Sequence, residues 1–295
     1  AIGAHALVVN TTGSKNIGIG VSALTANTTA SDNVAVGYNA LTANTTGTSN
    51  TAIGFDALRV STTVSNNTAL GYRALEENTT GVTNTAVGSE ALRENTTGSD
   101  NTAVGQPALF ANTTGNNNTA IGADTLATNT TGSQNVAIGL NALETNNADN
   151  NVAIGVDAMR LTTTGTRNTA VGYRSLYPNT TACYNTAFGA DTLKANTTGK
   201  FNVANGYGAL YVNTTATRNT AIGYLTLSSN TTGDKNIAIG MTAMESNTTG
   251  GCNTAVGTCT LRANTTASGN TAIGKYGLYA NTTGHSTVSY THLTL

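Results

Sequence analysis

Asn101-Thr102-Ala103-Val104-Gly105, followed by Ala108-Leu109 and then by Asn112-Thr113-Thr114-Gly115, is one copy of a unit that recurs along the chain. The asparagines that open each copy are Asn16, Asn33, Asn50, Asn67, Asn84, Asn101, Asn118, Asn135, Asn151, Asn168, Asn185, Asn202, Asn219, Asn236, Asn253 and Asn270. Neighbours differ by 17, except Asn135 and Asn151, which differ by 16. A fixed period of this size is the signature of a stacked repeat architecture.

Within the unit, Thr-Ala-Ile/Val alternates and carries a β-branched residue at every second place, which suits a strand. A glycine follows at one phase, as at Gly37, Gly54 and Gly105, where positive φ or close backbone approach is expected. Ala-Leu then supplies a second apolar segment, with Met159 and Met244 replacing Leu in two copies. Asn-Thr-Thr-Gly carries turn chemistry, because Asn side chains mimic backbone turns and Gly tolerates φ > 0. No window holds a helical period.

One unit cannot pay the entropy of ordering its own backbone, which runs to roughly 1–2 kcal/mol per residue. Stacking pairs each strand with the coils on either side and aligns like residues with like. The predicted fold is therefore all-β: a parallel β-solenoid, or β-roll, of about seventeen coils of 17 residues. Disorder is the competing reading of so polar a chain. A recurring Leu and Gly at fixed phases argue against it.

The alternation leads us to expect Ile/Val inside the coil and the intervening Ala outside, with Ile53, Leu70 and Val87 in one inward file. Asn205 then occupies an inward place and needs a local backbone or water partner, since a buried unpaired amide costs about 1–3 kcal/mol. The anchor asparagines are expected to form a hydrogen-bonded ladder. The residue missing near Asn146-Asn147-Ala148-Asp149 should fall in a turn, where deletions are tolerated.

The array is read as residues 1–284, with 285–295 a non-repeat tail. Thr287 stands where an anchor Asn is due, and Ser289-Tyr290-Thr291-His292-Leu293-Thr294-Leu295 fits no phase of the unit. That tail looks like translated adapter read-through, the alternative being a genuine cap or linker. The chain opens in mid-unit at Ala1-Ile2-Gly3. The expectation is an internal piece of a longer array, or ends covered by other chains.

Charged residues make up 9% of the chain, against about a quarter in ordinary domains. Net charge is −1, so no basic stripe offers a nucleic-acid surface. No apolar run approaches the ~20 residues of a membrane helix. Cys183, Cys252 and Cys259 occupy variable places and imply no disulfide ladder. His5, His285 and His292 lie far from any paired carboxylates. Asp56, Asp124, Asp157 and Asp191 share one phase, but other residue types interrupt the column. The chain is therefore read as non-catalytic, with no cofactor and no metal site.

Asn-Thr-Thr is also an N-glycosylation signal. The candidate sites are Asn10, Asn27, Asn44, Asn78, Asn95, Asn112, Asn129, Asn179, Asn196, Asn213, Asn230, Asn247, Asn264 and Asn281. Turn chemistry alone also explains this column.

The Asn-Thr-Ala-Ile/Val-Gly and Ala-Leu segments resemble the head repeats of YadA-like trimeric autotransporter adhesins, and related repeats of phage and bacterial tail fibres. The resemblance covers residues 1–284, although the family unit is shorter and lacks the added Asn-Thr-Thr-Gly. It implies a left-handed parallel β-roll in which three chains surround one axis, with the Ala column and its Thr/Val neighbours facing that axis.

The function expected is an extracellular structural or adhesive fibre segment: an adhesin head or shaft, or a self-assembling surface filament. Its partners would be further copies of itself, as a trimer or an end-to-end filament, and host surface glycans or proteins. Any contact with a partner would use the variable positions, which include Tyr38, Phe55, Arg59, Tyr72, Arg73, Tyr173, Arg174, Tyr207 and Tyr224. The alternatives are an ice-binding solenoid that uses Thr columns, and a phage tail-fibre receptor-binding shaft on the virion. The Thr pair sits beside Gly in a turn, which counts against the ice-binding alternative.

Overall fold

Each repeat contributes one short strand, and the strands stack in register. The computed structural model describes residues 1–290, and among these there are seventeen three-residue strands and no helix. The chain is a parallel β-solenoid. It divides into two compact units, the first ending at Asn150 and the second beginning at Asn151.

The first unit contains β1 (Ile17–Ile19) through β8 (Val136–Ile138). Each strand pairs in parallel with the next, one repeat apart. In β3 (Thr51–Ile53), β4 (Thr68–Leu70) and β5 (Thr85–Val87), Thr aligns with Thr, Ala with Ala, and Ile53 with Leu70 and Val87. The second unit contains β9 (Val152–Ile154) through β17 (Val288–Tyr290), paired in the same register. The ladder thus runs past the expected end of the array at residue 284. Ser289 aligns with Ala272 and Tyr290 with Ile273. Thr287 takes the anchor position by donating its backbone N–H to Asn270 Oδ1 at 2.9 Å. Residues 291–295 of the expected tail lie outside the described residues.

The structure reverses the expected faces of the strand. The central Ala is fully buried in Ala35, Ala52, Ala69, Ala86 and their successors. The flanking Thr/Val and Ile/Val point outward, half-buried or exposed, with Leu70 at 43% and Ile121 at 39% exposure. Ile53, Leu70 and Val87 do form a single file, but it faces outward. The reason is the narrowness of the coil. The Leu column (Leu24, Leu41, Leu58 and onward, fully buried as far as Leu261) fills the interior from the opposite side. At Gly18, the one strand centre in β1 to β16 without a methyl group, an added Cβ would lie 3.2 Å from Leu7 Cγ. A methyl group just fits there, and a branched side chain does not. Asn205, in β12 (Val203–Asn205), is accordingly exposed and needs no buried partner.

Two asparagine ladders close most coils. Asn33 and Asn44 both donate Nδ2 hydrogens to Gly47 O, at 2.8 and 3.0 Å, tying the start of one coil to its end. Asn33 Oδ1 accepts the backbone N–H of Asn50 at 2.9 Å, and Asn44 Nδ2 reaches Asn27 Oδ1 at 3.1 Å. The second unit repeats the device with Asn168 and Asn179 on Ala182 O, at 2.8 and 3.0 Å. Every polar atom in such a buried column needs a partner, which is why the amide, with both donor and acceptor, recurs there.

The coil turns at residues with positive φ. Ser22, Asn39 and Asp56 occupy one such corner, with φ between 52° and 60°. The buried leucines occupy another, with φ 52°, 51° and 51° at Leu24, Leu41 and Leu58. At Gly54, φ is 142°, and a side chain would strike the carbonyl of Gly71 in the next coil.

Candidate functional surfaces

Three surfaces arise from this coil. The first is the outer face of the strands. In the first unit it presents Thr51, Thr68, Thr85, Thr102 and Thr119 beside Ile53, Leu70, Val87, Val104 and Ile121. In the second unit, Ile154, Val171, Phe188, Asn205, Ile222, Ile239, Val256 and Ile273 form the corresponding file. Exposed apolar residues arranged so regularly differ from the scattered apolar residues of an ordinary surface.

The second surface is the Asn-Thr-Thr bend. In most coils the first Thr of the pair donates its hydroxyl to a backbone carbonyl of the next coil, as Thr96 Oγ1 does to Thr113 O at 2.9 Å. The second Thr is exposed, as at Thr46, Thr97 and Thr114. The fourteen candidate glycosylation asparagines are those of the second ladder. Asn27, Asn44, Asn78, Asn95, Asn112, Asn129, Asn179, Asn196, Asn213, Asn230, Asn247 and Asn264 are fully buried, while Asn10 and Asn281 are half-buried near the two ends of the described chain. Asn95 Nδ2 gives one hydrogen to Asn78 Oδ1 at 2.8 Å and the other to Gly98 O at 2.9 Å. A glycan on such a nitrogen would replace a hydrogen that the ladder uses. The ladder thus gives the Asn column a structural role that the sequence pattern did not reveal.

The third surface lies on the variable corner. Tyr38, Phe55 and Tyr72 stack face to face, with ring centroids 5.1 and 5.5 Å apart. Tyr207 and Tyr224 stack at 5.6 Å. The shared phase of these aromatics was visible in the sequence. The stack of Tyr184 on Phe201, at 5.1 Å, lies at a different phase and was not anticipated. Arg73 and Arg174 lie over Tyr72 and Tyr173, at 5.2 and 5.0 Å from the ring centroids. Arg59 belongs to an ion cluster around Glu76, which is only 4% exposed. Arg59 Nε and Arg93 Nε donate to its two carboxylate oxygens at 3.0 and 3.2 Å, and Arg73 Nε lies 3.6 Å away. Glu76 thereby staples three successive coils, a role that its place in a variable position concealed.

Two residues of the Asp column, Asp157 and Asp191, serve local ion pairs. Asp191 lies 3.1 Å from Lys194 Nζ, and Asp157 lies 3.5 Å from Arg160. Lys194 also donates to Tyr211 Oη at 3.1 Å. That bond raises the lysine's pKa against the opposing effect of burial, with Asp191 adding to the rise. Lys194 is therefore charged at neutral pH. Cys183, Cys252 and Cys259 are free thiols. Among the described residues, no group of three His, Cys, Asp or Glu side chains could hold a metal ion. No helix among them is long and apolar enough to cross a membrane. No known family model matches the chain, and no curated protein is found to be similar to it.

Proposed function

We propose that this chain is a segment of a non-catalytic extracellular fibre, an adhesin head or shaft or a surface filament, whose copies associate through the outer face of the strands. The observation that carries this reading is the outward file of Ile, Leu and Val, which runs beside Thr in coil after coil. Covering such a file removes apolar area from water at about 25 cal/mol per Å². A heterogeneous partner would have to match the 17-residue repeat, whereas a second copy matches it by construction. Three chains around one axis is the arrangement that the resemblance to adhesin head repeats supports. The same assembly would serve equally as a virion tail-fibre shaft. Sedimentation equilibrium of the purified chain should give a trimer. Placing lysines at Ile53, Val87 and Ile121 together should give a monomer with unchanged circular dichroism. A wild-type chain that stays monomeric at micromolar concentration would remove this reading.

A second reading draws on the same face. Threonines of consecutive strands stand outward at the strand spacing of about 4.8 Å, from Thr51 to Thr119. The strand Thr answers the objection that the Thr pair lies in a turn. A regular hydroxyl file flanked by methyl groups is suited to ordering water as ice does. Thermal hysteresis of the monomeric lysine variant and the wild type separates the two readings. Activity in the wild type that is lost on replacing Thr85 and Thr102 with Val would favour ice binding. Absence of hysteresis in both proteins would exclude it.

A further inference from the structure

Side-chain columns run from coil to coil in the second unit, and two of them are interrupted by small residues in neighbouring coils. Gly208 stands in line with Asp191 and Leu225, and Ser228 stands between Tyr211 and Glu245. The space they leave is an open hollow of about 430 Å³, lined by Tyr207, Tyr211, Tyr224, Leu225, Ser228 and Ser229 among others. Leu225 leans across the place of the missing side chain, since a Cβ at Gly208 would meet its Cδ2 at 2.7 Å. Tyr207 and Tyr224 are each 50% exposed and nearly parallel, with 16° between their rings. Tyr211 is held by the hydrogen bond from Lys194.

The lining specifies a class of ligand. It offers broad aromatic faces with an aliphatic floor, and five hydroxyls that can each donate or accept. The lining holds no Asp, Glu, Lys, Arg or His, and the nearby Lys194 is engaged by Asp191 and Tyr211. A phosphate or carboxylate ligand would find no free cation here. An alkyl chain would cover the hydroxyls and leave them unpaired, at a cost. A pyranose ring meets both requirements, because it has an apolar C–H face and a rim of hydroxyls. We propose that this hollow binds a neutral pyranose, as a residue of a surface glycan. The site is lined by residues of a single chain, so the claim does not require the association of copies.

Tyrosine fluorescence is a convenient reporter, because the chain has no Trp. Titration of the full chain with maltotriose, cellotriose and N-acetyllactosamine, backed by saturation-transfer NMR, should give saturable millimolar binding to at least one. Sialyllactose, as an anionic comparison, should bind no better than the best neutral sugar. Tyr207→Ala combined with Tyr224→Ala should weaken binding at least tenfold. Ser228→Tyr, which fills the hollow without removing a contact of the core, should do the same. Both variants should retain the wild-type circular dichroism, and Ser228→Tyr keeps the test valid if the double variant misfolds. No saturable binding by any of the three neutral sugars, binding untouched by Ser228→Tyr, or preference for the anionic sugar would overturn the proposal. The oligomeric state, measured on the same samples, separates failure here from failure of the fibre reading.

Discussion

Asn101 concentrates the chemistry that a single position contributes to this fold. Its Nδ2 donates to Gly115 O at 2.9 Å and to Asn84 Oδ1 at 3.2 Å, and its Oδ1 accepts Asn118 N–H at 3.0 Å. Asn101→Ala leaves that buried N–H without its acceptor, and a loss of about 1–3 kcal/mol is expected in denaturant unfolding. Asn101→Asp should cost more, because a carboxylate cannot donate to the two acceptors it would face. The opposite change is available one ladder away. Ser61 interrupts the second Asn column by donating to Asn78 O at 2.7 Å, which leaves buried Asn44 Oδ1 without a partner. Ser61→Asn should restore the rung and raise stability by about 0.5–2 kcal/mol. An unchanged or lowered unfolding midpoint would show that the ladder contributes little beyond the backbone pairing.

At the scale of the coil, the shortened repeat shows what the turn must provide. In the regular coil, Thr113 O accepts the backbone N–H groups of Thr96, Thr97 and Gly98 at 3.1, 3.0 and 3.3 Å. The coil opened by Asn135 lacks one residue, and Asn147 supplies a side-chain oxygen in place of that carbonyl. Its Oδ1 accepts Thr130, Thr131 and Gly132 N–H at 3.1, 2.9 and 3.3 Å. The ladder closes as usual, because Asn135 and Asn146 both reach Ala148 O at 2.8 Å. The deletion therefore lies in the turn, where it was expected, and its repair by the adjacent amide became visible only in the structure. Asn147→Ala should destabilise the first unit by about 1–3 kcal/mol. Inserting a Thr between Asn146 and the new Ala, which restores the 17-residue step, should recover most of that loss. Failure of the insertion to rescue would show that the three N–H groups find other partners.

For the molecule, each coil meets only its neighbours, so stability is close to a sum of intrinsic and interface terms. Excising residues 84–100 from the first unit removes one coil and one interface. It brings β4 against β6 (Thr102–Val104) with Thr, Ala and apolar residues still aligned. The far-ultraviolet dichroism per residue should be unchanged, and the melting temperature should fall by only about 2–4 °C. Removing half a coil would place strand against turn and should abolish cooperative unfolding. If both excisions behaved alike, the register described above would be wrong. The trimer expected from the outer strand face belongs to this scale too, because its apolar area grows with every coil added.

The sequence by itself determined the period, the strand at each Thr-Ala-Ile/Val, the parallel in-register stacking and the place of the deletion. These follow from spacing and local chemistry, which repeat identically in every copy. The direction of the strand faces was settled only in three dimensions. Alternation marks two faces but cannot say which one meets an interior already filled by Leu. The left-handed conformation of Leu24, Leu41 and Leu58 was equally hidden. Local preference disfavours it by roughly 1–2 kcal/mol per residue, and burial of the side chain against the Ala column offsets the cost. The hollow beside Tyr207 depends on small residues that are neighbours across coils and distant along the chain. Such properties arise from packing between repeats, and no single repeat contains them.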